Sequence, residues 1–190
     1  MTAGAWGAAG AWEFAVLEGI QGLRGPLLDQ VMVFVTNLSN HGEVWLLLGI
    51  LCLCFSKTRY LGLAMILSIG LGYVTGNLVL KNLFARSRPC WIRQDMALLI
   101  PAPLDYSFPS GHTLVSFEGA VCIWRRSKRW GIAALGLAAV IAFSRMYLFV
   151  HFPTDILAGL LLGIANGWCG DILAGVVKKR MAASKTETGK

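Results

Sequence analysis

The chain has 190 residues, of which 56% are hydrophobic and only 14% are charged. Soluble domains usually carry about 25% charged residues, so this composition argues against a soluble globular protein. The net charge is +7, from 17 Lys and Arg against 10 Asp and Glu. A nucleic-acid-binding domain would place such charge on a water-exposed patch. We expect no nucleic-acid partner. The positive charge is explained instead by how the Lys and Arg residues are distributed between the two sides of a membrane.

Residues 1–24 are assigned to an N-terminal interfacial segment, within which residues 11–24 are expected to form a short helix that lies at the membrane surface. Trp12, Val16, Ile20 and Leu23 recur there at helical spacing, which is typical of an interfacial amphipathic helix. We assign residues 25–178 to one membrane domain and residues 179–190 to a polar cytoplasmic tail.

Six apolar stretches follow the N-terminal segment. A membrane-crossing helix needs roughly 20 apolar residues, and the stretch nearest the N-terminus is the weakest candidate because it is short and carries Asp29 and Gln30. We predict an all-α, polytopic membrane protein with a bundle of six transmembrane helices. The stretches are residues 26–38, 43–56, 59–80, 110–124, 130–148 and 153–176.

The Lys and Arg residues divide unevenly between the two sides that six crossings create. Twelve fall on one side with both termini, and the positive-inside rule places that side in the cytoplasm of a cell membrane. The remaining five fall on the extracytoplasmic side, where topology gives no reason for positive charge. They are Lys81, Arg86, Arg88, Arg93 and Arg145.

Glycines recur at every fourth position in the last apolar stretch, at Gly159, Gly163 and Gly167. Small residues at this spacing let helix backbones approach closely. Packing inside the bundle is the favoured interpretation, and a dimer face is the alternative. The five cysteines show no spacing to histidine that is typical of a zinc site, so we expect no metal ion.

Three polar clusters lie on the extracytoplasmic side. One contains Lys81 and Arg88, which would share a helix face because they are seven residues apart, followed by Pro89. Another runs from Pro109 to His112 at the start of a helix, with Ser110 as a natural N-cap. The third begins with Ser144 and Arg145 and continues to His151 and Asp155, which are four residues apart around Pro153.

These residue types favour a phosphate site. Lys81, Arg88 and Arg145 supply three positive charges, and the amides that open a helix at Ser110 add partial positive charge. Phosphoryl transfer needs charge neutralisation, a nucleophile and a leaving-group acid. No carboxylate cluster is present for Mg²⁺, which points to a phosphatase that needs neither metal nor other cofactor.

In order, the clusters read KxxxxxxRP, PSGH and SRxxxxxHxxxD. This combination resembles the signature of the type 2 phosphatidic acid phosphatases, a family of integral-membrane lipid phosphatases whose phosphate site is related to that of vanadium haloperoxidases. The resemblance covers about residues 25–176. It implies six transmembrane helices and a site at the extracytoplasmic face of the membrane.

The resemblance also implies roles for the signature residues. His151 would be the nucleophile that forms a phosphohistidine, Asp155 would orient it, and His112 would protonate the leaving oxygen. The phosphate-binding residues would be Lys81, Arg88, Ser110, Gly111 and Arg145.

The substrate is open at this level: a lipid phosphate or diphosphate in the bilayer. Arg86 and Arg93 have no signature role and would serve a second phosphate or a lipid headgroup, which weakly favours undecaprenyl diphosphate. Phosphatidylglycerophosphate, phosphatidic acid and lipid A phosphates are alternatives. A function of another class is a lipid-phosphate binder or transporter without turnover. Glu118 lies in an apolar stretch, where we expect it to pair within the bundle.

Overall fold

A computed structural model describes residues 7–188, and every regular element in that range is helical. The fold class predicted from the sequence, all-α, is confirmed for these residues. A 3₁₀ turn at Asn40–Gly42 and a π-helix at Tyr73–Leu80 accompany nine α-helices. These are α1 (Gly7–Gln21), α2 (Pro26–Asn37), α3 (Glu43–Cys54), α4 (Arg59–Gly72), α5 (Lys81–Phe84), α6 (Pro89–Ile92), α7 (Gly111–Arg126), α8 (Lys128–Tyr147) and α9 (Pro153–Thr188).

Within residues 7–188, three helical stretches are long and apolar enough to cross a membrane. They are Arg59–Ile92, Lys128–Tyr147 and Pro153–Ser184, with mean hydropathies of 1.8, 1.5 and 1.6. The apolar helix α3 is shorter. Length and composition therefore support a membrane protein, in agreement with the composition of the whole chain.

The centre of the bundle is α7, which packs against α4, α8 and α9. The glycines of α9 make this contact close. A Cβ atom on Gly159 would lie 2.7 Å from the Ser110 carbonyl oxygen, and one on Gly163 would lie 2.6 Å from the Leu114 carbonyl oxygen. The favoured interpretation of the glycine pattern is confirmed, because α7 occupies this face of α9.

Helix α1 packs at the end of the bundle where α8 ends. Leu17 is fully buried in an apolar cluster with Tyr147 and Phe149. The Gln21 amide donates to the Tyr147 carbonyl (3.0 Å), and Arg24 donates to the carbonyl of Ala97 (2.8 Å), which belongs to the long segment between α6 and α7.

Both ends of α2 lie at this same end of the bundle. Near its start, Asp29 accepts a hydrogen bond from the Tyr147 hydroxyl (2.6 Å). Near its end, the Thr36 hydroxyl accepts one from Arg145. A crossing helix would have its two ends on opposite sides, so six crossings with both termini on one side are not confirmed. A short apolar stretch can equally well lie across the end of a bundle.

Candidate active site

Lys81 and Arg88 converge on one site, although they do not share a helix face. Helix α5 ends at Phe84, where Ala85 adopts a left-handed conformation (φ 43°). Arg88 then lies in extended backbone before α6 (φ −80°, ψ 154°). The predicted shared helix face is wrong because the chain turns at Ala85, four residues before the proline that was expected to end the helix.

Asp105 joins these two cations. Its carboxylate accepts a hydrogen bond from Lys81 Nζ and another from Arg88 Nη2 (2.8 Å). Burial acts to raise the pKa of this carboxyl group, but the hydrogen bond and charge of Lys81, together with Arg88, hold the pKa at about 2. Asp105 is therefore ionised at neutral pH and lies against two residues predicted to bind phosphate.

The start of α7 lies beside Lys81. Ser110 caps the helix as predicted, since its side chain accepts from the Thr113 amide (3.4 Å) and hydroxyl (3.0 Å). A Cβ atom on Gly111 would lie 3.9 Å from Lys81 Nζ. The backbone of the first turn of α7 thus comes close to the cations. His112 Nε2 lies 3.3 Å from the Asn40 side-chain oxygen.

Arg145 reaches the site from the end of α8. The side chain is almost fully buried, and its Nη1 donates to the Thr36 hydroxyl. Among the described residues, no partner is found for its buried Nε–H group. A buried donor without a partner is costly, and an anion in the site would satisfy it.

His151 lies between the cations and Asp155. Arg88 Nη1 lies 3.0 Å from His151 Nε2. Arginine can only donate, so Nε2 is the accepting nitrogen and the proton of the neutral ring is on Nδ1. Burial, followed by the charges of Arg88, Arg145 and Lys81, lowers the pKa of His151 well below its usual value. The lone pair of a neutral imidazole therefore faces the cations.

The other ring nitrogen faces Asp155. Nδ1 lies 3.6 Å from Asp155 Oδ2 and 3.5 Å from the hydroxyl of Ser107. These distances are longer than a good hydrogen bond, as is common in catalytic sites without substrate. Ser107 donates to Asp155 Oδ2 (2.5 Å), and so does the Phe152 amide (2.8 Å). The fully buried carboxylate is held in place beneath the ring.

The two arginines outside the signature contact carboxylates. Arg86 is paired with Glu13 (2.5 Å) and Asp155 (2.7 Å). Arg93 is a half-exposed residue paired with Glu18 (2.7 Å) and Asp95 (3.0 Å). Their role toward a second phosphate or headgroup stays a prediction.

Sequence reasoning did not single out Glu13, Asp105 or Ser107. Asp105 and Ser107 precede the PSGH cluster by only a few residues, so their position along the chain was a usable signal. No signal of this kind was present for Glu13, because its partners Arg86 and Thr154 are 73 and 141 residues away. Glu118 pairs within the bundle as expected, accepting from the Asn166 amide (2.9 Å).

The chain is similar to known proteins of one family. The model of the PAP2 superfamily matches residues 57–178. An undecaprenyl-diphosphatase of Sulfolobus acidocaldarius is 39% identical over 140 residues, which cover 72% of this chain and 66% of that relative, just under two thirds of its length. The undecaprenyl-diphosphatase BcrC of Bacillus subtilis is 26% identical, with 82% of this chain and 80% of the relative covered.

A solved structure shares the architecture. The crystal structure of a transmembrane PAP2-type phosphatidylglycerolphosphate phosphatase from Bacillus subtilis superposes with a TM-score of 0.72 at 28% identity. The match covers 90% of this chain and 87% of that one. The predicted resemblance to the type 2 phosphatidic acid phosphatases is confirmed: the chain belongs to the PAP2 superfamily.

Proposed function

We propose that this chain is a metal-independent lipid phosphatase that hydrolyses an isoprenoid lipid diphosphate to the monophosphate at the extracytoplasmic face of a cell membrane. The observation that carries the proposal is the position of His151. Its Nε2 lone pair faces Arg88, near Lys81 and Arg145, while Nδ1 faces Asp155. A binding protein or transporter needs the cations, but it does not need a nucleophile oriented in this way.

The reaction has two steps. In the first, His151 Nε2 attacks the terminal phosphorus, the bond from phosphorus to the leaving oxygen breaks, and His112 donates a proton to that oxygen. In the second, His112 takes a proton from water, whose oxygen attacks the phosphohistidine and releases inorganic phosphate. Lys81, Arg88 and Arg145, with the Ser110 hydroxyl and the Gly111 amide, bind the phosphoryl oxygens as negative charge develops. Asp155 stabilises the proton on Nδ1.

The choice of a diphosphate is supported by two relatives named undecaprenyl-diphosphatase. Phosphatidylglycerophosphate is the second candidate, because the similar crystal structure is named for that substrate. The contacts of Arg86 and Arg93 with carboxylates favour neither substrate.

The membrane topology is part of the proposal. Helices α3, α4 with its π-helical extension, α7, α8 and α9 give five crossings, with α1 and α2 at the end that carries the site. Arg24 then joins the extracytoplasmic residues, and eleven Lys and Arg residues remain on the opposite side with the C-terminus. The positive-inside rule still places that side in the cytoplasm.

The test is phosphate release by purified protein from a panel of undecaprenyl diphosphate, phosphatidylglycerophosphate, phosphatidic acid and a lipid A phosphate, each with and without EDTA. We expect the fastest phosphate release from the diphosphate and no effect of EDTA. The His151→Ala variant should release no phosphate above background. Phosphate release from the glycerolipids but not from the diphosphate would contradict the proposed substrate. Unchanged activity of His151→Ala would overturn the mechanism.

A further inference from the structure

Helix α1 contributes a buried carboxylate to the surroundings of the site. Trp12 and Val16 on this helix are exposed, whereas the side chain of Glu13 is fully buried. Glu13 Oε1 accepts from the Thr154 hydroxyl (2.5 Å) and amide (3.3 Å), in the first turn of α9. Its Oε2 accepts from Arg86 Nη2 (2.5 Å). A carboxylate at the start of a helix is favourably placed, but burying one is costly unless it is paired.

Arg86 connects this carboxylate to Asp155. Its Nη1 donates to Asp155 Oδ1 (2.7 Å) and to the Thr154 hydroxyl (2.6 Å). The guanidinium group lies over the ring of Phe152, 4.2 Å from the centroid, and Phe14 of α1 meets that ring edge-on at 5.2 Å. The guanidinium group is therefore held in one orientation by hydrogen bonds along its edge and by the Phe152 ring against its face.

The groups alternate in charge from α1 to the reacting nitrogen. Glu13 is negative, Arg86 positive and Asp155 negative, and Asp155 Oδ2 faces His151 Nδ1. Without Glu13, the guanidinium group of Arg86 would neutralise most of the negative charge on Asp155. Because Glu13 also pairs with this guanidinium group, more of the negative charge on Asp155 remains to stabilise the proton on His151 Nδ1.

We propose that Glu13 is a positioning residue for phosphoryl transfer: it holds Arg86 so that Asp155 orients His151 and keeps its charge for the imidazole. This inference rests on the proposed phosphatase function. It gives α1 a role in the chemistry, beside any contact that α1 makes with the membrane surface.

The test is Glu13→Gln, which keeps the size of the side chain and removes its charge. In metal sites, loss of the outer hydrogen-bond partner of a ligand typically costs about 10- to 100-fold in activity, and Glu13 is an outer partner of the same kind for Asp155, through Arg86. We expect kcat for phosphate release to fall in that range while KM changes less than about twofold, because Glu13 does not touch the substrate. Glu18→Gln is the matched control: it is the same substitution on the same helix, at a half-exposed ion pair with Arg93, and we expect wild-type kcat.

A double-mutant cycle separates positioning from a general loss of structure. If Glu13 acts through Arg86, the double variant Glu13→Gln with Arg86→Gln is no slower than Arg86→Gln alone. Independent effects that multiply would overturn the proposal, as would wild-type kcat for Glu13→Gln. If Glu13→Gln does not fold, Thr154→Val removes the hydroxyl that bridges Glu13 and Arg86. We expect the same fall in kcat at constant KM, and wild-type kcat in that variant would equally contradict the role.

Failure of the proposed function would look different. The wild-type protein would release no phosphate from any lipid of the panel, or His151→Ala would be as active as wild type. An active wild type with an unaffected Glu13→Gln variant rejects only the role of Glu13.

Discussion

Asp105 lies against Lys81 and Arg88, two of the cations that we propose bind the substrate phosphate. Three buried or nearly buried cations close together repel one another, and the carboxylate offsets part of that repulsion. The Asp105 side chain is also half-exposed, at 54%, so it can leave toward solvent. We propose that the carboxylate occupies the position of a phosphoryl oxygen, and we expect substrate to displace it.

Replacing Asp105 with Asn should therefore tighten substrate binding. Exposed ion pairs are worth about 0.2–1 kcal/mol, so we expect KM to fall by about 1.4- to fivefold. Steady-state phosphate release at varied substrate measures this. Asp171→Asn, which also removes a carboxylate paired with two arginines but at the opposite end of the bundle, is the control and should leave KM unchanged. A higher KM for Asp105→Asn would mean that Asp105 helps to bind substrate.

The protonation of His151 gives a second prediction at this scale. Burial and the charges of Arg88, Arg145 and Lys81 lower its pKa, so the neutral ring persists as the pH falls through 6.5, the ordinary histidine value. In ¹⁵N NMR of histidine-labelled protein, the ring of His151 should titrate below 6.5, with the proton on Nδ1 when neutral. The signal is assigned by its absence in His151→Gln. A midpoint at or above 6.5 would contradict the assignment.

At the scale of elements, the glycines of α9 let this helix approach the start of α7, which carries Ser110, Gly111 and His112. A Cβ atom on Gly159 would meet the Ser110 carbonyl at 2.7 Å and Thr113 Cβ at 3.1 Å. The position of the helix start, and hence of the Gly111 amide that we propose binds the phosphate, depends on this close contact.

Gly159→Ala should therefore reduce both stability and activity. Overpacking a well-packed contact costs about 1–3 kcal/mol, so we expect a lower Tm in detergent together with slower phosphate release. The matched control is Gly136→Ala in α8, where a Cβ atom meets nothing within 4 Å. Alanine is favoured over glycine in helices by about 1 kcal/mol, so that variant should match or exceed the wild-type Tm. An unchanged Tm for Gly159→Ala would show that α7 and α9 can separate freely.

At the scale of the whole molecule, the N-terminal helices and the site occupy the same end of the bundle. Gln21 and Arg24 contact residues of that end, whereas Lys57, Arg126 and Lys178 lie together around Tyr60 at the other. The described chain thus begins beside the site and ends across the bundle from it.

Cysteine labelling tests this arrangement. In a variant without the five native cysteines, Glu18→Cys should react with a membrane-impermeant maleimide in intact spheroplasts, whereas Arg180→Cys should react only after permeabilisation. If neither position reacted with the maleimide in intact spheroplasts, the result would instead support the topology with six crossings and both termini in the cytoplasm.

Sequence reasoning was most successful where the relevant contacts are local. Ser110 capping α7 and Pro153 opening α9 are properties of neighbouring residues, and the structure has both. Arg88 was placed on the wrong element because nothing in the residues around Ala85 indicates a left-handed turn. Glu13 and α2 could not be placed because their positions depend on partners far along the chain. Hydropathy alone does not distinguish a crossing helix from one packed across the end of a bundle.

The ion pairs of Asp105 have a consequence for the end of the catalytic cycle. Inorganic phosphate leaving three cations would expose them to one another, which slows its departure. A tethered carboxylate that returns to Lys81 and Arg88 removes that penalty, so each turnover becomes an exchange of one anion for another. We expect product release to be assisted by the protein's own chain, and free phosphate to inhibit the wild-type enzyme less than it inhibits Asp105→Asn.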